Sequence, residues 1–571
     1  MDHHDIARVL GEIAALLELQ GENPFRVRAY RTAARTLSAY GGDLREARAA
    51  GALPELRGLG PATLEMVEEL LDTGTCRMLE DLRDQVPPGL VDMLRIAGLG
   101  VAKVRQIHNS LQVDSLGELE VAARDGRLAS LPRFGWKTAE KILKGIQFLR
   151  QADGALLVHH ARAAAAELVG VLEALPEVVA VHRAGSLRRG TELVRDLDLV
   201  VVARDAPASL AERLREGRVA EFTQASETAI TLRLTGGTVV DLFPCTPDRL
   251  GFVLLRATGS EPHLQQLAAR AAARGLRWTA EGLVRSDRPL AAPTEDAVYA
   301  ALGLPWIPPE LREGRGEVDA AAAGRLPCLV ERRDLRGFLH CHSAYSDGAD
   351  TIAVWADAAR AEGYDYLGLT DHSPATAFTG GLAAEAIPRQ HAEIDAANAR
   401  GSGARVLKGV EADILEDGTL DYAPAVRRQF EFVIASVHTR FGMDAEQLTA
   451  RVLRAMDDPS MTVLGHPTGR LLRSRDPFPL DLDRVFACAA DRGIAIEINA
   501  DPQRLDLDWR VLRQAVTAGV TIAIGADAHG VANMDHVDLG VAIARKGWLT
   551  ADHILNTRSA DEFLAFARRR R

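Results

Sequence analysis

The sequence has few of the features that mark extracellular or membrane proteins. Its five cysteines, Cys76, Cys245, Cys328, Cys341 and Cys488, are scattered over 571 residues with no Cys-x-x-Cys spacing. Neither a zinc ribbon nor a disulfide framework is indicated, and a reducing cytoplasm fits. No run approaches 18 apolar residues, and Met1 to Gly21 mixes acids among its apolar positions without a signal-type core, which speaks against membrane spanning and secretion. Aromatics are scarce at 5%, but 47% hydrophobic and 26% charged residues make an ordinary globular mix. An excess of positive charge is also missing. The net charge of −11 argues mildly against a nucleic-acid binder and leaves any such binding to local patches. At this length three or more domains are expected.

What is present starts with the stretch Ala184 to Gly190, which runs through Arg195 into Asp196, Leu197, Asp198 and the apolar run Leu199 to Val202. It reads as a loop that holds a triphosphate, feeding a strand that carries two carboxylates. Side chains on a strand alternate faces, so Asp196 and Asp198 point one way while Leu197 and Leu199 enter the core. A third acid is expected from a neighbouring strand, and the β-branched and apolar run Thr238 to Phe243 supplies Asp241. Three carboxylates around two hard cations suit in-line displacement at phosphorus. Gly185 and Ser186 let backbone N–H groups approach phosphate oxygens, and Arg188 or Arg189 can fork onto them. An isolated Asp-x-Asp would read more simply as the polar face of an edge strand, but Gly-Ser-x-Arg-Arg-Gly stands just upstream. The whole segment resembles the nucleotidyltransferase motif of family X DNA polymerases. That resemblance implies that Gly185, Ser186 and Arg189 hold the triphosphate, while Asp196, Asp198 and Asp241 hold two ions, Mg2+ or Mn2+.

Nearer the N-terminus, Ile6, Val9, Ile13, Leu16 and Leu17 recur at helical spacing, and a second helix is expected from about Phe25 to Tyr40. Its Arg26, Arg28, Arg31 and Arg35, interleaved with Phe25 and Tyr30, suit a DNA backbone or end, although a solvated arginine face has the same pattern. Three copies of one pattern follow, at Gly58-Leu59-Gly60, Gly98-Leu99-Gly100 and Phe134-Gly135, each a tight turn leading into an amphipathic helix. Free N–H groups at such a helix start form a phosphate site. The series resembles helix-hairpin-helix motifs, which grip DNA without reading bases. Tyr30, Arg31, Gly58, Gly60, Gly98, Gly100 and Gly135 are therefore the expected DNA contacts. Family X repair polymerases carry a lyase lysine on the second helix of the first hairpin. Its place holds Met66 here, so DNA binding carries over and lyase activity does not.

Thr258 and Gly259 match the family's Thr-Gly at the nucleotide. Arg256 and Ala257 stand where vertebrate relatives place two aromatics, and Leu264 where they place an Asn, so sugar discrimination and fidelity do not carry over. Leu302 to Glu317 resembles the end of the bacterial members' polymerase half.

From Phe338 onward short apolar strands alternate with helical stretches, and nearly every strand ends in a potential ligand. His340 and His342 end the first, Asp371 and His372 the second, then Glu411, His438 and His466, and Asp527 with His529 end the last; a further strand is expected near Ile494 to Asn499. Seven parallel strands with functional groups at their C-terminal ends describe a barrel with its chemistry on one rim. His340 and His342 are expected on one strand face, again by period 2, with Asp347 within reach. Burying nine such side chains together would be costly without cations. The pattern closely resembles the PHP (polymerase and histidinol phosphatase) domain. By that resemblance His340, His342, Glu411 and Asp527 hold one metal, Glu411, His438 and His466 a second, and Asp347, His372 and His529 a third. Mixed imidazole and carboxylate ligands suit Mn2+, Zn2+ or Fe2+.

Nearly the whole chain is thus similar to bacterial family X DNA polymerases with a C-terminal PHP domain. The expected fold is multidomain α and α+β, with helix-hairpin-helix regions at 1–85 and 86–154, a nucleotidyltransferase palm at 155–245 and an adjoining subdomain at 246–316. A linker at 317–336 leads to a distorted (β/α)7 PHP barrel at 337–571, and palm and barrel are expected to fold separately, each with its own core. The resemblance implies a cytoplasmic, nucleoid-associated monomer acting on gapped or nicked DNA with dNTPs and without a membrane. It would fill short gaps in repair and degrade DNA from the 3′ end, with abasic-site incision or 3′-end trimming as further activities. The competing readings are a DNA-end-binding scaffold with an inactive polymerase half, and a DNA-targeted PHP phosphoesterase.

Overall fold

Helices alone build the N-terminal region. Ile6, Leu10, Ile13 and Leu17 on helix His3–Gln20 share a buried core with Val27, Tyr30, Ala33 and Leu37 on helix Pro24–Ser38. The computed structural model describes residues 3–38, 40, 44–56, 58–96, 98–152, 154–203, 221–225, 228–234, 237–280, 282–375 and 380–570. In the first two hairpins Gly58 and Gly98 take φ of 100° and 85°, and Gly60 and Gly100 cap helices Pro61–Thr73 and Val101–Leu111 with extended backbone. The third differs, because Arg133 takes φ 71° where the others have glycine, ahead of helix Trp136–Ala152. A side chain in that region costs roughly 1–2 kcal/mol, so the least regular repeat in sequence also has the most strained turn.

The expected palm is a five-stranded sheet in the order Val178–Arg183, Asp196–Ala203, Val239–Cys245, Ile230–Arg233, Glu221–Ala225. Its second and third strands are parallel and the other pairs antiparallel. Leu197, Leu199 and Val201 join a core with helix Val158–Glu173, while Val200 and Val202 pack with Val253 and Leu254 of helix Leu250–Thr258. Alternation therefore holds, and Asp196 and Asp198 continue the second face.

The adjoining subdomain has a core of its own, and it extends past residue 316. Glu317–Ala322 is a helix whose Val318 and Ala321 enter that core. Glu317 is fully buried, 2.6 Å from His263 Nδ1, and accepts from the N–H groups of Gly314 and Arg315. The start of the expected linker is thus structural: its Ala- and Arg-rich composition conceals an apolar anchor in Val318 and Ala321.

The seven strands Gly337–Cys341, Tyr366–Leu369, Arg405–Asp413, Phe432–Ser436, Val463–Leu464, Ala495–Asn499 and Ile522–Ala528 close in chain order into a parallel barrel. Its core is continuous with that of the palm, so the expectation of two separate cores is not met. At the junction Glu192 is buried, accepts from Trp509 Nε1 at 3.2 Å and pairs with Arg510 and Arg470 at 3.1 and 3.4 Å. Among the described residues no helix is long and apolar enough to cross a membrane.

Candidate active sites

Strand register brings the palm acids together. Asp198 and Asp241 are partners across the parallel pair, Asp196 lies two residues upstream of Asp198, and Thr231 Oγ1 donates to Asp241 Oδ1 at 2.6 Å. Burial, then repulsion from Asp196 and Asp241, pushes the Asp198 carboxyl up to about 7 against the pull of Arg189. Hard divalent cations relieve such crowding, so the acids fit the implied ions. The stretch read as a loop is instead one helical turn, Gly185–Arg188, with Gly185 at φ 59°. A Cβ at Gly185 would lie 1.7 Å from Asp198 Oδ2, so only glycine fits. Ser186 Oγ is buried with no hydrogen-bond partner among the described residues, which suits a phosphate oxygen.

The two motif arginines part company. Arg188 forks onto Glu295 at 2.7 and 2.8 Å and donates to Thr258 Oγ1, while Arg312 forks onto the same Glu295. Arg189 donates through Nε to Glu313 at 3.0 Å and through Nη1 to the Thr258 carbonyl at 2.8 Å. Thr258, an expected nucleotide contact, is fully buried and braces both arginines; a Cβ on Gly259 would lie 2.8 Å from Leu264.

On the barrel rim three groups have ligand atoms within 4.8 Å of one another: His342, Asp347, His372 and His529; His340, His342 and Asp527; and His372, Glu411 and His438. The palm acids share a face without closing to that spacing. Glu411 is the centre of the rim, with Oε1 at 3.1 Å from His466, 3.3 Å from His438 and 3.4 Å from His340, and Oε2 at 2.9 Å from His372. His372 and His529 lie 3.6 and 3.5 Å from Asp347 Oδ2. His340 Nε2, His342 Nδ1, Asp347 Oδ1 and Glu411 Oε2 are buried without a hydrogen-bond partner among the described residues. Unsatisfied nitrogen and carboxylate donors in one cluster fit divalent transition metals. Burial opposes protonation of His438 and His529, yet Glu411 and Asp413 raise the first, and Asp347 and Asp527 the second, to about 9.

Family models match the helical region, the subdomain beside the palm and most of the barrel. A helix-hairpin-helix domain matches residues 1–76, a SAM-like helix-hairpin-helix tandem 90–147, a DNA polymerase beta thumb 253–313 and a PHP domain 339–501. The chain is 36% identical over 574 residues to the DNA polymerase/3′-5′ exonuclease PolX of Bacillus subtilis (strain 168), with the full length of both covered. It belongs to the PolX family. It is also 27% identical over 235 residues to a probable phosphatase of Thermoanaerobacter sp. (strain X514) and 29% identical over 243 residues to one of Aliivibrio fischeri (strain ATCC 700601 / ES114). These matches cover 38% and 40% of this chain and 89% and 91% of the relatives.

The PolX rim has a second layer that the motif alone does not name. Glu497 Oε1 lies 2.6 Å from His340 Nδ1, Glu497 Oε2 accepts from the His466 N–H at 2.6 Å, and Asp413 Oδ1 lies 3.1 Å from His438 Nδ1. Such carboxylates fix which ring nitrogen faces a metal. His340 and His342 reach one cluster, both within 3.5 Å of Asp527 Oδ1, but not through the regular pleat expected. The register shifts between Leu339 and Cys341 and His340 takes φ 60°, a bulge that brings the two rings to 5.3 Å.

The PolX DNA-binding region needs one correction. Tyr30 is 4% exposed, its hydroxyl 3.4 Å from Met78 Sδ, so its ring belongs to the core and presents no stacking face. Arg31 pairs with Glu18. Among the described residues of this region the exposed aromatics are Phe25, at 78%, and Trp136, at 68%, directly after Gly135. Gly58 is close-packed, since a Cβ there would lie 2.5 Å from Thr36 Oγ1; at Gly60, Gly98, Gly100 and Gly135 the space is open.

Proposed function

We propose that the palm adds nucleotides from dNTPs to the 3′ end at short DNA gaps and that the barrel hydrolyses DNA from the 3′ end. The observation that carries this reading is the presence, on one PolX chain, of the in-register Asp198–Asp241 pair beneath the Gly185 turn and of the Glu411-centred rim. Asp196, Asp198 and Asp241 would hold two Mg2+ or Mn2+ ions, which neutralise charge at the reacting phosphate when bound. Asp241 helps to take the proton of the 3′-hydroxyl, Ser186 Oγ and Arg189 bind the triphosphate, and the hairpin N–H groups hold strand phosphates. His340, His342, Asp347, His372, Glu411, His438, His466, Asp527 and His529 would hold up to three Mn2+, Zn2+ or Fe2+ ions, with Glu497 and Asp413 orienting the imidazoles. The same reading makes the protein a cytoplasmic, nucleoid-associated monomer of gap repair.

A labelled primer on a gapped duplex tests it. Asp241→Ala should lose extension and keep 3′ degradation, and Glu411→Ala should do the reverse. Extension by Asp241→Ala at the parent's rate would remove the palm assignment. Degradation that survives Glu411→Ala but not Asp241→Ala would place the nuclease in the palm.

A further inference from the structure

Glu313, the last residue of the thumb match, serves two cations from different parts of the chain. Its Oε1 accepts from Arg189 Nε at 3.0 Å and from Lys546 Nζ. Lys546 ends the barrel helix Val537–Lys546, is 1% exposed, lies 4.5 Å over the Trp509 ring and donates to the Arg189 carbonyl at 3.2 Å. A barrel lysine therefore touches both the main chain of Arg189 and the carboxylate that holds its side chain. Burial opposes ionisation of Glu313, but Lys546 and Arg189 outweigh it and hold the carboxyl below its usual range. Nε and Nη1 of Arg189 are committed, while Nη2 makes no hydrogen bond among the described residues.

We propose that Lys546 is a positioning residue for nucleotide addition: by sharing Glu313 it weakens that carboxylate's hold on Arg189 and leaves the guanidinium available to the triphosphate. This rests on Arg189 being the triphosphate ligand. Without the lysine, Glu313 keeps one counter-ion in a site too dry to leave a carboxylate half paired. The arginine is then held against the incoming polyanion. Neutralising Glu313 as well removes the competitor.

The test is single-nucleotide addition to a gapped primer by the full-length parent, Lys546→Met, Glu313→Gln and the double variant, with 3′ degradation by the same preparations as the control for folding. Lys546→Met should raise KM for dNTP on the order of tenfold, the scale of one charge-assisted hydrogen bond, with kcat within about threefold and degradation at the parent's rate. In the Glu313→Gln background the same change should leave KM within about twofold. An unchanged KM in Lys546→Met overturns the proposal, and so does an equal rise in both backgrounds, which would mark a packing effect. If Lys546→Met loses degradation and so is misfolded, Glu313→Gln decides alone: a KM at or below the parent's supports the proposal and a rise overturns it. A parent that adds no nucleotide at all fails the polymerase reading instead.

Discussion

Asp198→Asn should stop nucleotide addition and, in metal-free protein, increase stability. Burial, with Asp196 and Asp241, raises the carboxyl from an ordinary 3.8 to about 7. Keeping such a group ionised in the fold costs about 1.4 kcal/mol per pH unit of displacement, roughly 4 kcal/mol in full. Below pH 3.8 both folded and unfolded chains carry the proton and no penalty exists. The penalty grows as the unfolded state ionises and is complete once the pH passes about 7. Asparagine has the same shape and escapes it. Urea or thermal melts in EDTA should therefore show the variant's advantage widening from about pH 4 to about pH 7 and levelling off above it. Saturating Mg2+ or Mn2+ should reverse the order, because ions that bind only the folded acids stabilise the parent more. Addition should fall by at least about 10²-fold, since even second-layer changes at metal sites cost up to that much. A stability advantage that stays flat with pH in EDTA, or one that survives saturating metal, would refute the reasoning.

Gly185→Ala places a methyl 1.7 Å from Asp198 Oδ2 and should abolish extension while 3′ degradation continues; extension at the parent's rate would show that the turn is not fixed as described. Metal-free barrel stability should fall as pH rises. His438 and His529, raised from 6.5 to about 9, contribute fully below pH 6.5 and lose that contribution through about 9. Melts in the Asp198→Asn background isolate this effect, and metal loading near pH 8 should release protons measurable by calorimetry in two buffers. Met66 is 7% exposed and carries no amine, so a 5′-deoxyribose phosphate end should give little borohydride-trapped adduct; efficient trapping mapped to the first hairpin would overturn this.

The palm acids were legible because strand alternation is strict, and neither Asp196 nor Asp198 needed more than period 2. The same rule fails at His340, where a bulge interrupts the pleat, yet its ring still joins the rim cluster that the motif implies. Asp413 was within reach of alternation, standing two residues after Glu411 on one strand, and Glu497 is an acid inside the otherwise apolar Ala495–Asn499 strand. Tyr30 was misplaced although Val27, Tyr30, Ala33 and Leu37 recur at core spacing, because the flanking arginines drew the reading outward. Nothing local in Lys546 or Glu192 announces the partners they meet, which lie hundreds of residues away in sequence.

The shared core of palm and barrel has a genetic consequence. A stop codon within the barrel would not produce a polymerase freed of its nuclease. It would leave the palm with bare apolar surface and a buried Glu192 stripped of Arg470, Trp509 and Arg510, a product suited to degradation. Selection would then have to silence degradation by substitutions that keep the barrel folded, so the two activities are inherited together.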